Sequence, residues 1–146
     1  MARSIIAVIV SYVIMFALIF LAFTAAYMVM GAGQAFKPHR FVSSNRWIVM
    51  ALVVNVVVAI IGGFICAAIA KGGKAPLALA IVVFVLGLVF AIPSLMVPHT
   101  NAVRSSNDIP MFEAMAKAEE PRWVPFTFPV LGAVGVLIGR KLKKRT

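Results

Sequence analysis

Four stretches of the chain carry almost no polar residue: Ser4 to Met30, Trp47 to Ala70, Pro76 to Val97 and Trp123 to Gly139. A helix needs about 20 apolar residues to cross the hydrocarbon layer of a membrane. That layer holds no water to satisfy open backbone groups, so each stretch is predicted to be a membrane-spanning helix. The fourth is the shortest and contains Pro125 and Pro129. The first run is longer than the apolar core of a signal peptide, about 7–15 residues, and predicts a retained anchor. Only Pro98 to Arg122 forms a sizeable polar segment. Within it, Asn107-Asp108-Ile109-Pro110 has the form of a helix start, and Ile109, Phe112 and Met115 or Ala116 recur at helical spacing. Glu113 and Lys117 form an i,i+4 pair in the favourable order. A short amphipathic helix ending at Pro121 is predicted there, lying on the outer surface. The fold class is all-α: an integral membrane four-helix bundle with that short helix in the outer loop between spans three and four, over a single domain 1–146.

Composition agrees with this pattern. The chain is 63% hydrophobic and 12% charged, against about half and a quarter for a soluble domain. Such a chain has too little polar surface to cover a soluble fold, which excludes a soluble enzyme, a disordered tail and a disulfide scaffold. The lone cysteine, Cys66, lies in an apolar run and is expected to behave as a small hydrophobe.

Charge sets the orientation. Lys and Arg total 14 against 4 Asp and Glu, a net charge of +10. Four crossings place Arg3, Lys71, Lys74 and the tail Arg140, Lys141, Lys143, Lys144 and Arg145 on one side without an acid. Lys37, Arg40, Arg46, Arg104, Lys117, Arg122 and all four acids fall on the other. The positive-inside bias predicts both termini in the cytoplasm of a bacterial plasma membrane. The basic residues cap apolar segments and form no separate module, so the expected partners are anionic lipid headgroups at the tail and not nucleic acid. Trp47 and Trp123 each open a span at the outer interface, where amphipathic rings prefer to sit. Gly72-Gly73 predicts a tight inner turn that makes spans two and three neighbours.

Few residues carry candidate chemistry. Asn55 is the strongly polar side chain deep in a span and needs a partner, either an interhelical hydrogen bond, for which Ser11 is one candidate, or a polar path. Ala59, Gly63 and Ala67 recur every four residues on span two, with Gly62 and Cys66 beside them. Gly135 and Gly139 make a GxxxG step on span four, below Gly132. Such rows let helices approach closely. Pro93, Pro125 and Pro129 each lack a backbone donor and are candidate kinks. His39 and His99 lie just outside spans, on the side of Glu113, Glu119 and Glu120, and are weak candidates for a metal; their spacing matches no ligand motif. No acid or histidine lies within a span, no cysteine pair exists, and no GxSxG, HExxH or GxxxxGKS motif occurs. No enzyme and no cofactor is therefore expected.

In size and span number the layout is similar to small multidrug exporters and fluoride channels. The exporters' membrane glutamate has no counterpart here, and Phe64, Phe84 and Asn55 form no channel motif. Lys143-Lys144-Arg145-Thr146 resembles a dilysine retrieval tail, which a run of basic residues also produces by composition alone. No family is assigned. The leading expectation is a structural or accessory membrane protein that packs against itself or a larger complex, with Ala59, Gly63, Ala67, Gly135 and Gly139 as helix-packing residues whose partner lies either within the chain or in another subunit. The alternatives are a small transporter or channel with Asn55 in a polar path, and an outer-face ligand or metal sensor.

Overall fold

A computed structural model of the protein describes residues 1–71, 73–96, 98, 103 and 109–146. Among these, the helices are α1 (Ala2–Ala35), α2 (Asn45–Ala70), α3 (Ala75–Met96), α4 (Met111–Lys117) and α5 (Val124–Arg145). Among the described residues, α1, α2, α3 and α5 are long and apolar enough to cross a membrane. Their outward surfaces are apolar too: Phe16 is 68% exposed and Phe90 73%. Contiguous exposed apolar surface on this scale suits lipid, not water. The chain is a multi-pass membrane protein with an all-α bundle fold.

α1 continues past Met30, but its helical geometry breaks at Gly31, where φ is 68° and ψ 170°. That region of backbone space is essentially restricted to glycine. The following residues therefore turn onto the bundle end as a short separate piece. At the other limit, α5 runs on beyond Gly139 through the basic tail, where cations offset the negative end of the helix dipole. α2 ends on Lys71 in the left-handed conformation, φ 50°, with Gly73 also at positive φ.

α5 packs chiefly against α2 and α3, and α1 packs on α2. The expected pairing of spans two and three is thus mostly displaced: α5 wedges between them, and α2 and α3 share only a small contact. The reason is backbone access. Gly87 of α3 faces Pro129 and Gly132 of α5 faces Val83, while Gly135 and Gly139 of α5 face α2, so α5 offers close-approach positions to both neighbours and comes between them.

Both chain ends lie at one end of the bundle, where Arg3 Nε donates to the Ile69 carbonyl at 2.8 Å. At the opposite end the two connections pair through their backbones. Glu119 N–H donates to the Phe41 carbonyl at 2.8 Å, and Ser43 N–H donates to the Glu119 carbonyl at 2.9 Å. This pairing corrects the expected extent of α4, which stops at Lys117, four residues before Pro121. Ala118 is extended because the next residue is committed to the 36–44 segment. The apolar face of α4 also differs from expectation. Ala114 is buried against Ala32, Ala35, Phe36 and Phe41, while Phe112 and Met115 are exposed. Asn107 and Asp108, the expected cap, lie outside the described residues; Pro110 occupies the cap position.

Ser44 stitches α1 to α2. Its N–H donates to the Ala35 carbonyl at 2.8 Å, its hydroxyl donates to the Gln34 carbonyl, and the same oxygen accepts from Trp47 N–H at 3.2 Å. A serine cap of this kind is worth about 1 kcal/mol. Pro125 stands in the first turn of α5 and not in its interior, where a missing N–H breaks no bond. The interior prolines are Pro93 and Pro129.

Candidate functional site

The small residues of α2 divide into two rows with different neighbours. Ala59 and Gly63 meet α5. A side-chain carbon added at Gly63 would stand 2.1 Å from the Val136 carbonyl oxygen. One added at Gly139 would stand 2.1 Å from the Ile60 carbonyl oxygen, and one at Gly135 2.6 Å from the Ala59 Cβ. Backbone therefore lies directly on backbone along this seam. Gly62 and Cys66 face α1 instead, with Met15 filling the space over Gly62. Ala67 is 6% exposed and lies near the end of the seam.

Asn55 belongs to the same row as Ala59 and Gly63, four residues earlier. Its Nδ2 donates to the Phe128 carbonyl of α5 at 3.1 Å. A carbonyl oxygen has two lone pairs, so this bond does not require Phe128 to give up its helical one. The candidate partner Ser11 is not used. Its hydroxyl is fully buried beside Cys66 on the α1–α2 contact, away from Asn55. The spacing 55, 59, 63 places Asn55 on the row of Ala59 and Gly63, a signal present in the sequence; that this row faces α5 is given by the folded chain.

At the end away from the termini lies a pocket of about 380 Å³ between α1, the start of α2 and α4. Phe16, Phe20, Phe23 and Tyr27 form one wall from a single face of α1, Trp47 closes a side, and Met111 and Ala114 come from α4. The Trp47 ring lies 5.8 Å from that of Phe23, tilted by 43°, and meets Tyr27 edge-on at 6.2 Å. The Tyr27 hydroxyl donates to the Ile109 carbonyl at 2.8 Å, tying the wall to the segment before α4. Among the described residues, Glu120 is the one charged member of the lining. Burial pushes its carboxyl above the ordinary glutamate range. Sequence reading passed over this pocket because aromatic residues on an apolar span are equally suited to lipid. It becomes a cavity only when α4 and the 118–121 strand-like segment fold over it.

At the opposite end a cleft of about 400 Å³ is lined by Lys71, Arg140, Lys143 and Lys144, together with Ala67, Gly73 and Pro76. Lys143 Nζ stands 5.6 Å above the Phe64 ring. Lys141 and Arg145 are exposed outside it. His39 is exposed in a turn at φ 57°, and His99 lies outside the described residues. Among the described residues no three His, Cys, Asp or Glu side chains stand together.

No protein-family model matches the sequence, and no curated protein or solved structure matches it either.

Proposed function

We propose that the chain is a non-enzymatic structural or accessory protein of a bacterial plasma membrane, packing against copies of itself or a larger membrane complex, with both termini in the cytoplasm. The observation that carries this reading is the backbone-on-backbone seam at Gly63, Gly135 and Gly139. A rigid α2–α5 pair presents the remaining helix surfaces as a fixed platform. Asn55 supports the same reading. One of its amide N–H groups bonds across to α5, as expected of a residue that fixes helix pairing. The surplus of basic residues at the termini end supports the orientation and contact of Arg140, Lys141, Lys143, Lys144 and Arg145 with anionic headgroups.

Cross-linking in native membranes followed by mass determination tests the proposal, alongside solute flux in liposomes. The expected result is a discrete oligomer or a fixed partner, with no flux. A monomer that carries a solute, and loses that transport in a folded Asn55→Leu variant, overturns it in favour of a small transporter or channel.

A further inference from the structure

Among the described residues, the pocket beneath α4 combines a long apolar wall with one carboxylate in its lining. Phe16 and Tyr27 are eleven residues apart on α1, so the aromatic wall runs about 16 Å along the helix axis. Its upper end reaches the level of Trp47 and Glu120, and its lower end reaches the middle of the span. The volume falls within the range of small-molecule sites, about 300–1,000 Å³. The neighbouring lysine is taken: Lys117 Nζ lies 2.8 Å from Glu113, not from Glu120. No ion pair or hydrogen bond involves the Glu120 side chain among the described residues.

We propose that this pocket binds an amphiphile with a cationic ammonium head and an alkyl tail, the tail lying along Phe16, Phe20 and Phe23 and the head between Trp47, Tyr27 and Glu120. A neutral acyl chain alone would fill the wall but leave the carboxylate desolvated without compensation. An anionic amphiphile would be repelled by it. An ammonium group compensates the carboxylate and gains from the electron-rich faces of the aromatic rings. The proposal is independent of the α2–α5 packing role, because none of these residues belongs to that seam. The ammonium amphiphile has two possible sources, a membrane lipid and a soluble compound.

The test uses full-length protein in a neutral maltoside detergent, with Trp123→Phe so that Trp47 is the remaining indole. Dodecylpyridinium is the probe, its ring quenching indole emission on contact. Saturable quenching is expected, relieved by dodecyltrimethylammonium and not by dodecanoate. Glu120→Gln and Phe20→Ala are each expected to raise the half-saturating concentration by about fivefold or more, while Glu113→Gln leaves it unchanged. Equal quenching in Glu120→Gln and the parent, or equal relief by dodecanoate, overturns the proposal and assigns the pocket to hydrocarbon alone. If Glu120→Gln does not fold, the competition on the parent protein decides between the same outcomes. Mass analysis of protein extracted from its membranes separates the sources. An ammonium-headed lipid retained by the parent and lost with Glu120→Gln identifies a lipid, and quenching without such a lipid identifies a soluble cation.

Discussion

Asn55 of α2 donates its amide to the carbonyl of Phe128, the residue immediately before Pro129 of α5, at 3.1 Å. The bond joins positions 73 residues apart and lies on the same contact as Gly63 and Gly135. It specifies the register of two helices that otherwise meet through groups without side-chain identity. Asn55→Leu is expected to lose about 0.5–2 kcal/mol of stability, read by reversible unfolding in detergent. A larger loss would mean that the amide supports more than this one bond.

The glycines of α2 separate two kinds of crowding. Gly63→Ala drives a methyl into the Val136 carbonyl, which is backbone and cannot rotate away. It is expected to cost about 1–3 kcal/mol. Gly62→Ala meets the Cγ and Sδ of Met15, the flexible end of a side chain that can change rotamer. It is expected to be milder than Gly63→Ala. Thermal unfolding of the two variants side by side checks the order; a reversed order would refute the seam.

Gly31 sets the exit from α1. Any side chain there forces φ 68° and ψ 170° onto a residue that strongly disfavours them. Gly31→Ala is expected to cost about 1–3 kcal/mol and to loosen the Ser44–Ala35 connection. Faster amide exchange of Ser44 would report the change.

Glu120 makes stability depend on pH. Its folded carboxyl is raised by burial, so between the unfolded value, about 4.3, and the raised folded value the native state binds more protons than the unfolded one. Stability therefore falls as pH rises through that window. Glu120→Gln removes the dependence. The variant is expected to match the parent at pH 4 and to exceed it at neutral and alkaline pH, as measured by melting temperature across a pH series. A parent whose melting is flat across that range would contradict the assignment.

The proposed orientation yields a labelling result. Cys66 is fully buried and is the single cysteine, so the parent is expected to stay unlabelled by an impermeant maleimide. In a Cys66→Ala background, a cysteine replacing Lys117 is expected to react in intact cells, and one replacing Thr146 only after lysis. Equal reaction of both before lysis would reverse the topology or remove it.

How much was legible in advance follows from what each feature depends on. The spans were legible because hydrocarbon imposes self-satisfied backbone on any long apolar run. The small-residue rows were legible as faces, since helical spacing is local. The Glu113–Lys117 pair, 2.8 Å in the folded chain, was legible for the same reason. The partner of each face was not. Helices in lipid have no apolar contrast to sort them, so van der Waals fit and a few hydrogen bonds decide which neighbour each face receives.

The amino-acid sequence by itself thus determined that four helices cross, that α2 bears close-approach rows, and that five of the 14 basic residues crowd the C-terminal tail. Only the tertiary structure decided that α5 lies between α2 and α3, that Asn55 bonds to Phe128 and not to Ser11, and that α4 closes an aromatic pocket over Glu120. The division has one physical cause. Periodicity and hydropathy act within a segment, whereas shape complementarity and hydrogen-bond pairing exist only between segments once they are brought together.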